Sequence, residues 1–240
     1  MCTLVAWLSV FPEAPLVVAA NRDERLGRPS RGPERHPGAV RWVGPVDMIA
    51  GGSWWAINSR HLFVGLTNRA GAMRSDLRRS RGLLVADVAQ TPSIDAAESL
   101  LRALDPAAYN GFHLLATDGL TGVVAIADGE SMRMTRLSPG LHVVTERGFG
   151  AEPVEREARV RALMTPLSAR PLDLEAIQEV LRTHVDPPIE SLCVHVPELD
   201  YGTRSSAVYA RLADGSGQLR VAPGPPCRTP FADESALVEG

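Results

Sequence analysis

Lysine is absent from the 240-residue chain, and all 25 basic residues are arginine. This excludes Schiff-base chemistry, a phosphate-loop lysine and a serine–lysine dyad; the Arg-, Ala- and Pro-rich composition is of the kind a GC-rich genome produces. Cysteine is scarce too. Cys2, Cys193 and Cys227 are too few and too scattered for a disulfide framework. No C-x-x-C or His/Cys cluster shows ligand spacing along the chain, so no metal and no cofactor is expected, and a reducing, cytoplasmic location follows. No apolar run reaches the roughly 18–20 residues of a membrane span. A net charge of -3 gives no general attraction to nucleic acid or to an anionic membrane. Hydrophobic residues nonetheless make up 45% of the chain, enough for a sizeable core and too many for disorder.

The apolar stretch near the start is cut by Pro12-Glu13-Ala14-Pro15 and has no basic segment before it. It reads as two strands, Cys2–Val10 and Leu16–Ala20, joined by a Pro-rich turn, not as a secretory segment. Residues 21–45, rich in Arg, Pro and Gly, read as a long loop. Short strands are predicted at Met48–Ala50, Trp54–Asn58 and Leu62–Leu66, and helices over 75–90 and from Thr91-Pro92 to about Leu104. Phe112–Thr117, Val123–Ala127, Met132–Leu137 and Leu141–Thr145 read as a meander. Helices at Val154–Met164 and Leu174–His184 follow, then strands at Ser191–Val196, Ser205–Leu212 and Gln218–Ala222, and a loosely held Pro-rich tail. Strands and helices come in blocks, which favours stacked antiparallel sheets with outer helices over a doubly wound parallel sheet. One domain over 1–240 is the simplest organisation.

Cys2 follows the initiator Met directly. Methionine aminopeptidases remove Met before a small side chain, so the mature chain is expected to begin with Cys2. Such a cysteine carries its own base. The α-amine titrates near roughly 7.7–8.0 and the thiol near roughly 8.5, so each exchanges protons near neutral pH. Asn21-Arg22-Asp23-Glu24 stands where the second strand is predicted to end, and a hairpin turning near residues 11–14 sets Cys2 opposite Asn21–Asp23. A carboxylate then comes within reach of the terminal ammonium, and an amide within reach of a bound carbonyl. The bland alternative is a small residue at position two and a polar turn after a strand.

Met-Cys-Thr-Leu-Val-Ala-Trp followed by Val-Val-Ala-Ala-Asn-Arg-Asp-Glu resembles the NRDE family, also called the transport and Golgi organisation 2 family. Ala50-Gly51-Gly52-Ser53-Trp54-Trp55-Ala56-Ile57-Asn58, Leu66-Thr67-Asn68-Arg69, Ser80-Arg81-Gly82-Leu83-Leu84, Tyr109-Asn110-Gly111-Phe112 and Tyr201-Gly202-Thr203-Arg204-Ser205-Ser206 agree with it in order. The resemblance implies an α+β, four-layer αββα sandwich of N-terminal nucleophile (Ntn) hydrolase type, distantly similar to cysteine acylases of penicillin V and conjugated bile acids. It implies Cys2 as nucleophile, with Asn21 and Asp23 holding the site. Two positions depart from the acylases: Ala20 stands where they have an Arg, and Glu146, after Gly140-Leu141-His142, stands where they use an oxyanion-hole Asn. A carboxylate there would repel an oxyanion. Arg22 supplies charge from a neighbouring position and is expected on the other strand face.

Substrate-binding candidates are Arg22, Trp54, Asn68, Arg69, Glu146 and Arg204. Trp54 and Trp55 on one strand would put a ring on each face. Asn68 and Arg69 are ligand groups or a solvated turn; Arg204 is an anion binder or an ion-pair partner of Asp23 or Glu24. As a strand-end residue Asp23 is expected to matter for function and little for stability; a buried pairing with Arg22 or Arg204 would reverse this. The histidines are read as core or surface residues, and Cys193 as buried and inert. The resemblance implies a hydrolase or acyl transferase for a linear amide or thioester. The alternative is a non-catalytic carrier of an acyl-CoA, lipid or haem-like ligand, with no nucleic-acid partner.

Overall fold

The computed structural model describes residues 2–72, 74–149 and 155–239. The chain opens with six strands: β1 (Cys2–Phe11), β2 (Ala14–Arg25), β3 (Ser30–His36), β4 (Trp42–Asp47), β5 (Trp55–Asn58) and β6 (Phe63–Asn68). Helices α1 (Arg81–Ala89) and α2 (Ile94–Arg102) follow, then β7 (Phe112–Thr117), β8 (Gly122–Ala127), β9 (Met132–Leu137) and β10 (Gly140–Thr145). Next come α3 (Glu155–Met164), α4 (Leu174–Leu181), β11 (His195–Val196), β12 (Tyr201–Arg211), β13 (Gly217–Ala222), β14 (Ala232–Asp233) and α5 (Ser235–Val238). Contacts divide these into two compact units, one made of the chain up to Arg28 with Pro139–Glu239, the other of Pro29–Ser138.

The first unit is a seven-stranded antiparallel sheet in the order β10-β1-β2-β12-β13-β14, with β11 added to β12. The β1–β2 hairpin has Phe11 opposite Ala14, and a register shift lies between Leu8 and Phe11, where Ser9 takes a φ of 50°. From Leu8↔Leu16 the pairing is unbroken to Cys2↔Arg22. Strand alternation sends Val5, Trp7, Val17, Ala19, Val143, Val208 and Ala210 to one face. There they pack with Val160 and Met164 of α3 and Ile177 and Leu181 of α4. Each Val, Ile, Leu or Met among them contributes about 1.5–3 kcal/mol on leaving water, which fixes α3 and α4 on this face.

In the second unit β3 to β9 follow in sequence order as one antiparallel sheet. Leu84, Val85 and Val88 of α1 and Ala97 and Leu101 of α2 pack on Ala56, Val64, Leu114, Ala116, Val123 and Ala125. Gly52 has a φ of 72°, and a Cβ on it would lie 2.1 Å from the Gly82 carbonyl carbon. The Gly-Gly-Ser and Ser-Arg-Gly motifs are therefore a backbone crossing, closed by Ser53 N–H donating to Gly82 O at 3.0 Å.

Several local expectations are corrected. Residues 21–45 are mostly strand: β2 continues to Arg25, and β3 tolerates Pro33 because it is an edge strand with a register shift between Arg31 and Glu34. Met48–Ala50 is a turn, since Asp47 Oδ1 accepts the N–H groups of Ile49 and Ala50 at 3.0 Å. The first two helices start late, after capping by Ser80 and Ser93. β10 leaves the meander and pairs with β1. Ser191–Val194 is not strand: Cys193 N–H goes to Thr183 O and Val194 N–H to Thr203 Oγ1. The Pro-rich tail is anchored by β14 on β13. Among the described residues no helix is long and apolar enough to cross a membrane.

Candidate active site

Cys2 and Arg22 are directly opposed across the β1–β2 pair, and Thr3 is opposed to Asn21. Opposed residues leave the sheet on the same side, so Arg22 shares the face of Cys2 and the expectation that it points away is corrected. Position 22 lies two residues beyond Ala20, which restores the same face with period two. Arg22 is buried, with Nη2 3.7 Å from Glu24 Oε2. Burial pushes the Cys2 thiol up and the Asp23 charge adds to the rise, while the Asp23 backbone N–H and, less, the Arg22 charge pull it back. Met1 lies outside the described residues.

Asp23 is on a strand, not at a solvated end, and its side chain is fully buried. Oδ2 accepts from Arg156 Nη2 at 3.1 Å and Oδ1 from the Thr203 hydroxyl at 2.6 Å. The Tyr201 hydroxyl donates to the Asp23 carbonyl at 2.9 Å. Arg156, on α3, also donates to Thr3 Oγ1 at 3.0 Å and to Ile189 O at 2.7 Å. Burial raises the Asp23 pKa to about 6; Arg156 and Thr203 oppose the rise and the Glu146 charge adds to it. Asp23 is thus the buried ion-pair partner of a residue the sequence reading did not name, and the low stability cost expected of it is corrected.

Glu146 follows β10 directly and is buried, its side chain 5% exposed. Neither carboxyl oxygen has a hydrogen-bond partner in another described residue. Arg147 Nε stands 3.6 Å from Oε1, while Arg147 Nη1 holds Glu190 at 2.7 Å. Burial pushes Glu146 up, against the pull of Arg156 and Arg147. Two buried carboxyls, Asp23 and Glu146, thus share the field of one buried guanidinium.

The other candidates divide. Asn21 Nδ2 donates to Leu181 O at 2.9 Å and Leu192 O at 2.8 Å. Both amide hydrogens are used, so the expected donation to a bound carbonyl is corrected to a bracing role. Arg204 sits at the register shift of β12 between Thr203 and Ser205, with a buried Nε lacking a partner among the described residues. It pairs with neither Asp23 nor Glu24 and keeps its capacity for an anion. In the second unit, Trp54 precedes β5 and is half-buried, so only Trp55 is on the strand. Asn68 ends β6 and is exposed; Arg69 lies 3.6 Å from Asp128. A cavity of about 1110 Å³ is lined by Phe11, Glu13, Leu172 and Phe231, at the far end of β1 from Cys2.

Arg156 and Thr203 complete the constellation. A signal for Arg156 existed: it leads the i, i+4, i+8 stripe Arg156, Val160, Met164, whose other members are core. A charge on an apolar stripe needs a buried partner. The reading of histidines and cysteines as scattered is also corrected. His184, Cys193, His195 and Cys227 bring their ligand atoms within 4.8 Å of one another, because chain turns fold together what sequence spacing separates.

Two antiparallel sheets, each with helices on one face, make an α+β fold of Ntn-hydrolase type. Solved structures share it. A Caenorhabditis elegans ortholog of N-acylethanolamine-hydrolyzing acid amidase superimposes with a TM-score of 0.59 at 14% identity, covering 87% of this chain and 92% of that one. A mutant of the Clostridium perfringens conjugated bile acid hydrolase gives 0.61 at 11% identity, with 97% and 96% covered. The chain belongs to the Transport and Golgi organisation 2 family, which it matches over residues 1–221. It is 29% identical over 232 residues to the Transport and Golgi organization protein 2 homolog of Bos taurus, covering 83% of each. The Homo sapiens homolog is 27% identical over 235 residues, again 83% of each.

Proposed function

We propose that the chain is an N-terminal-cysteine acyl transferase or hydrolase acting on a linear amide or thioester. The observation that carries this reading is the register that sets Cys2 directly against Arg22, beside the buried Asp23–Arg156 pair. Removal of Met1 frees the Cys2 α-amine, which takes the thiol proton as Sγ attacks the acyl carbon. The carbon–nitrogen or carbon–sulfur bond then breaks as the α-ammonium returns the proton to the leaving group, and the acyl group stays on Sγ. Water, deprotonated by the same amine, releases it. Arg22 stabilises negative charge on the Cys2 face, and Asp23, locked by Arg156 and Thr203, fixes the strand end and the field around the ammonium. Arg204 takes an anionic part of the substrate. The names of the two structural neighbours, an amidase and a conjugated bile acid hydrolase, support a linear amide as the bond attacked.

Glu146 favours a second reading, a carrier on the same fold that binds an acyl or haem-like ligand without turnover. Once ionised, the buried Glu146 carboxylate opposes an oxyanion, and losing a donor from an oxyanion hole costs roughly 10²–10³ in rate. Intact-mass measurement after exposure to activated acyl esters and thioesters separates the two. An acyl adduct confined to the N-terminal peptide and absent from Cys2→Ala supports the enzyme. Reversible binding without an adduct supports the carrier.

A further inference from the structure

We propose that His184, Cys193, His195 and Cys227 form a tetrahedral zinc-class metal site of the Cys₂His₂ type, built to hold the chain rather than to do chemistry. The four side chains come from three separate places. His184 lies in the turn after α4, Cys193 and His195 flank Val194 on the approach to β12, and Cys227 sits in the Pro-rich segment after β13. Their ligand atoms all lie within 4.8 Å of one another. Cys193 Sγ is 3.5 Å from His195 Nε2, and that nitrogen is 3.1 Å from Cys227 Sγ. Around zinc, bonds of about 2.3 Å to sulfur and about 2.0–2.1 Å to nitrogen put neighbouring ligand atoms roughly 3.3–3.8 Å apart. The sulfur–nitrogen separations already approach that range, and small side-chain adjustments bring in the rest.

The backbone holds these segments in place. Arg182 Nε donates to Pro226 O at 3.0 Å, tying the end of α4 to the Cys227 segment. Cys193 N–H donates to Thr183 O at 3.1 Å, beside His184. Val194 is bound both ways to Thr203, N–H to Oγ1 at 2.8 Å and O to N–H at 2.9 Å. Four protein ligands leave no open position, the mark of a structural site. Two thiols lose their protons to solvent on binding, and two thiolates then balance the dication. Soft sulfur with imidazole suits zinc over magnesium or calcium. The site also reaches the candidate active centre. Asn21 holds Leu181 O and Leu192 O, and Thr203 holds Asp23, so a metal clamp on 184–195 would fix both.

The test uses the full chain, freed of any His tag, reduced, and freshly stripped of metal. Titration with Co(II) should reach one equivalent, with ligand-field bands of a tetrahedral site and thiolate-to-metal charge transfer, and Zn(II) should displace it. Exposed His184→Ala and half-exposed Cys227→Ser serve as variants beside the buried Cys193→Ser, which has more chance of misfolding. Each should lose more than the roughly 10–100-fold in affinity that removal of an outer partner costs. Zn(II) should raise the Tm of the wild type and of Cys2→Ala, but not of Cys227→Ser. Octahedral Co(II) spectra without charge transfer, sub-stoichiometric binding, or unchanged affinity in His184→Ala and Cys227→Ser would overturn the proposal.

Discussion

Replacing Arg156 with Met tests the buried centre most sharply, because it removes one charge while keeping an apolar stem of similar length on α3. The guanidinium is fully buried and donates to Asp23 at 3.1 Å, Thr3 at 3.0 Å and Ile189 at 2.7 Å. Breaking a buried ion pair from one side typically costs 3–5 kcal/mol, roughly. For a chain of this size about 2–4 °C of Tm accompanies each kcal/mol, so a drop of about 6–20 °C is expected at pH 8. The pH dependence identifies the stranded group. In the wild type the Asp23 pKa is about 6, above its ordinary 3.8. A raised carboxyl contributes stability in its protonated form, and that contribution is lost as pH rises from about 4 to about 6. Arg156 is the main charge holding the Asp23 pKa down. Without it the carboxyl titrates higher still, and the variant should go on losing stability above pH 6 where the wild type is flat. The gap between the two proteins should therefore be small near pH 5, reflecting only the bonds to Thr3 and Ile189, and widen toward pH 8. Thermal melts across this range measure it. A gap independent of pH would refute the assignment of Asp23 as the charge Arg156 compensates.

Glu146→Gln removes a buried carboxyl whose protonation resists loss. The wild-type acylation rate should fall as pH rises through the raised Glu146 pKa, and the variant should lose that limb and react faster at neutral pH; equal stopped-flow profiles would place Glu146 outside the reaction. Arg22→Gln removes the cation that shares the face of Cys2. Thiol alkylation by iodoacetamide should then need higher pH, and an unshifted alkylation profile would show that Arg22 does not act on the thiol.

The strand pattern and the hairpin were legible because apolar alternation and the Pro12-Glu13 turn force one register, and that register sets Cys2 against Asn21–Asp23. β10 was misplaced for a physical reason. Its residues look like the fourth strand of a meander, and only pairing with Thr3–Leu8 sends it to the other sheet. Asn21 and Asp23 were identified, but their side chains point toward α3, α4 and Leu192, so their partners lie more than 130 residues along the chain. No local pattern announces Arg156 as the counter-charge, beyond its place on an otherwise apolar helix stripe. The His/Cys cluster was illegible for the same reason, since its members are drawn together by turns and by the β11–β12 pairing rather than by spacing.

The central claim is that Cys2 acts through its own α-amine. One chain is prepared with a cleavable extension before Cys2, and acylation of Cys2 by a single thioester probe is timed before and after cleavage liberates the amine. A positioned general base contributes about 10²–10⁴-fold, so the liberated chain should react at least about 100-fold faster, with the adduct on the Cys2 sulfur. Equal rates before and after cleavage would contradict the claim and leave Cys2 an ordinary thiol at the head of a strand.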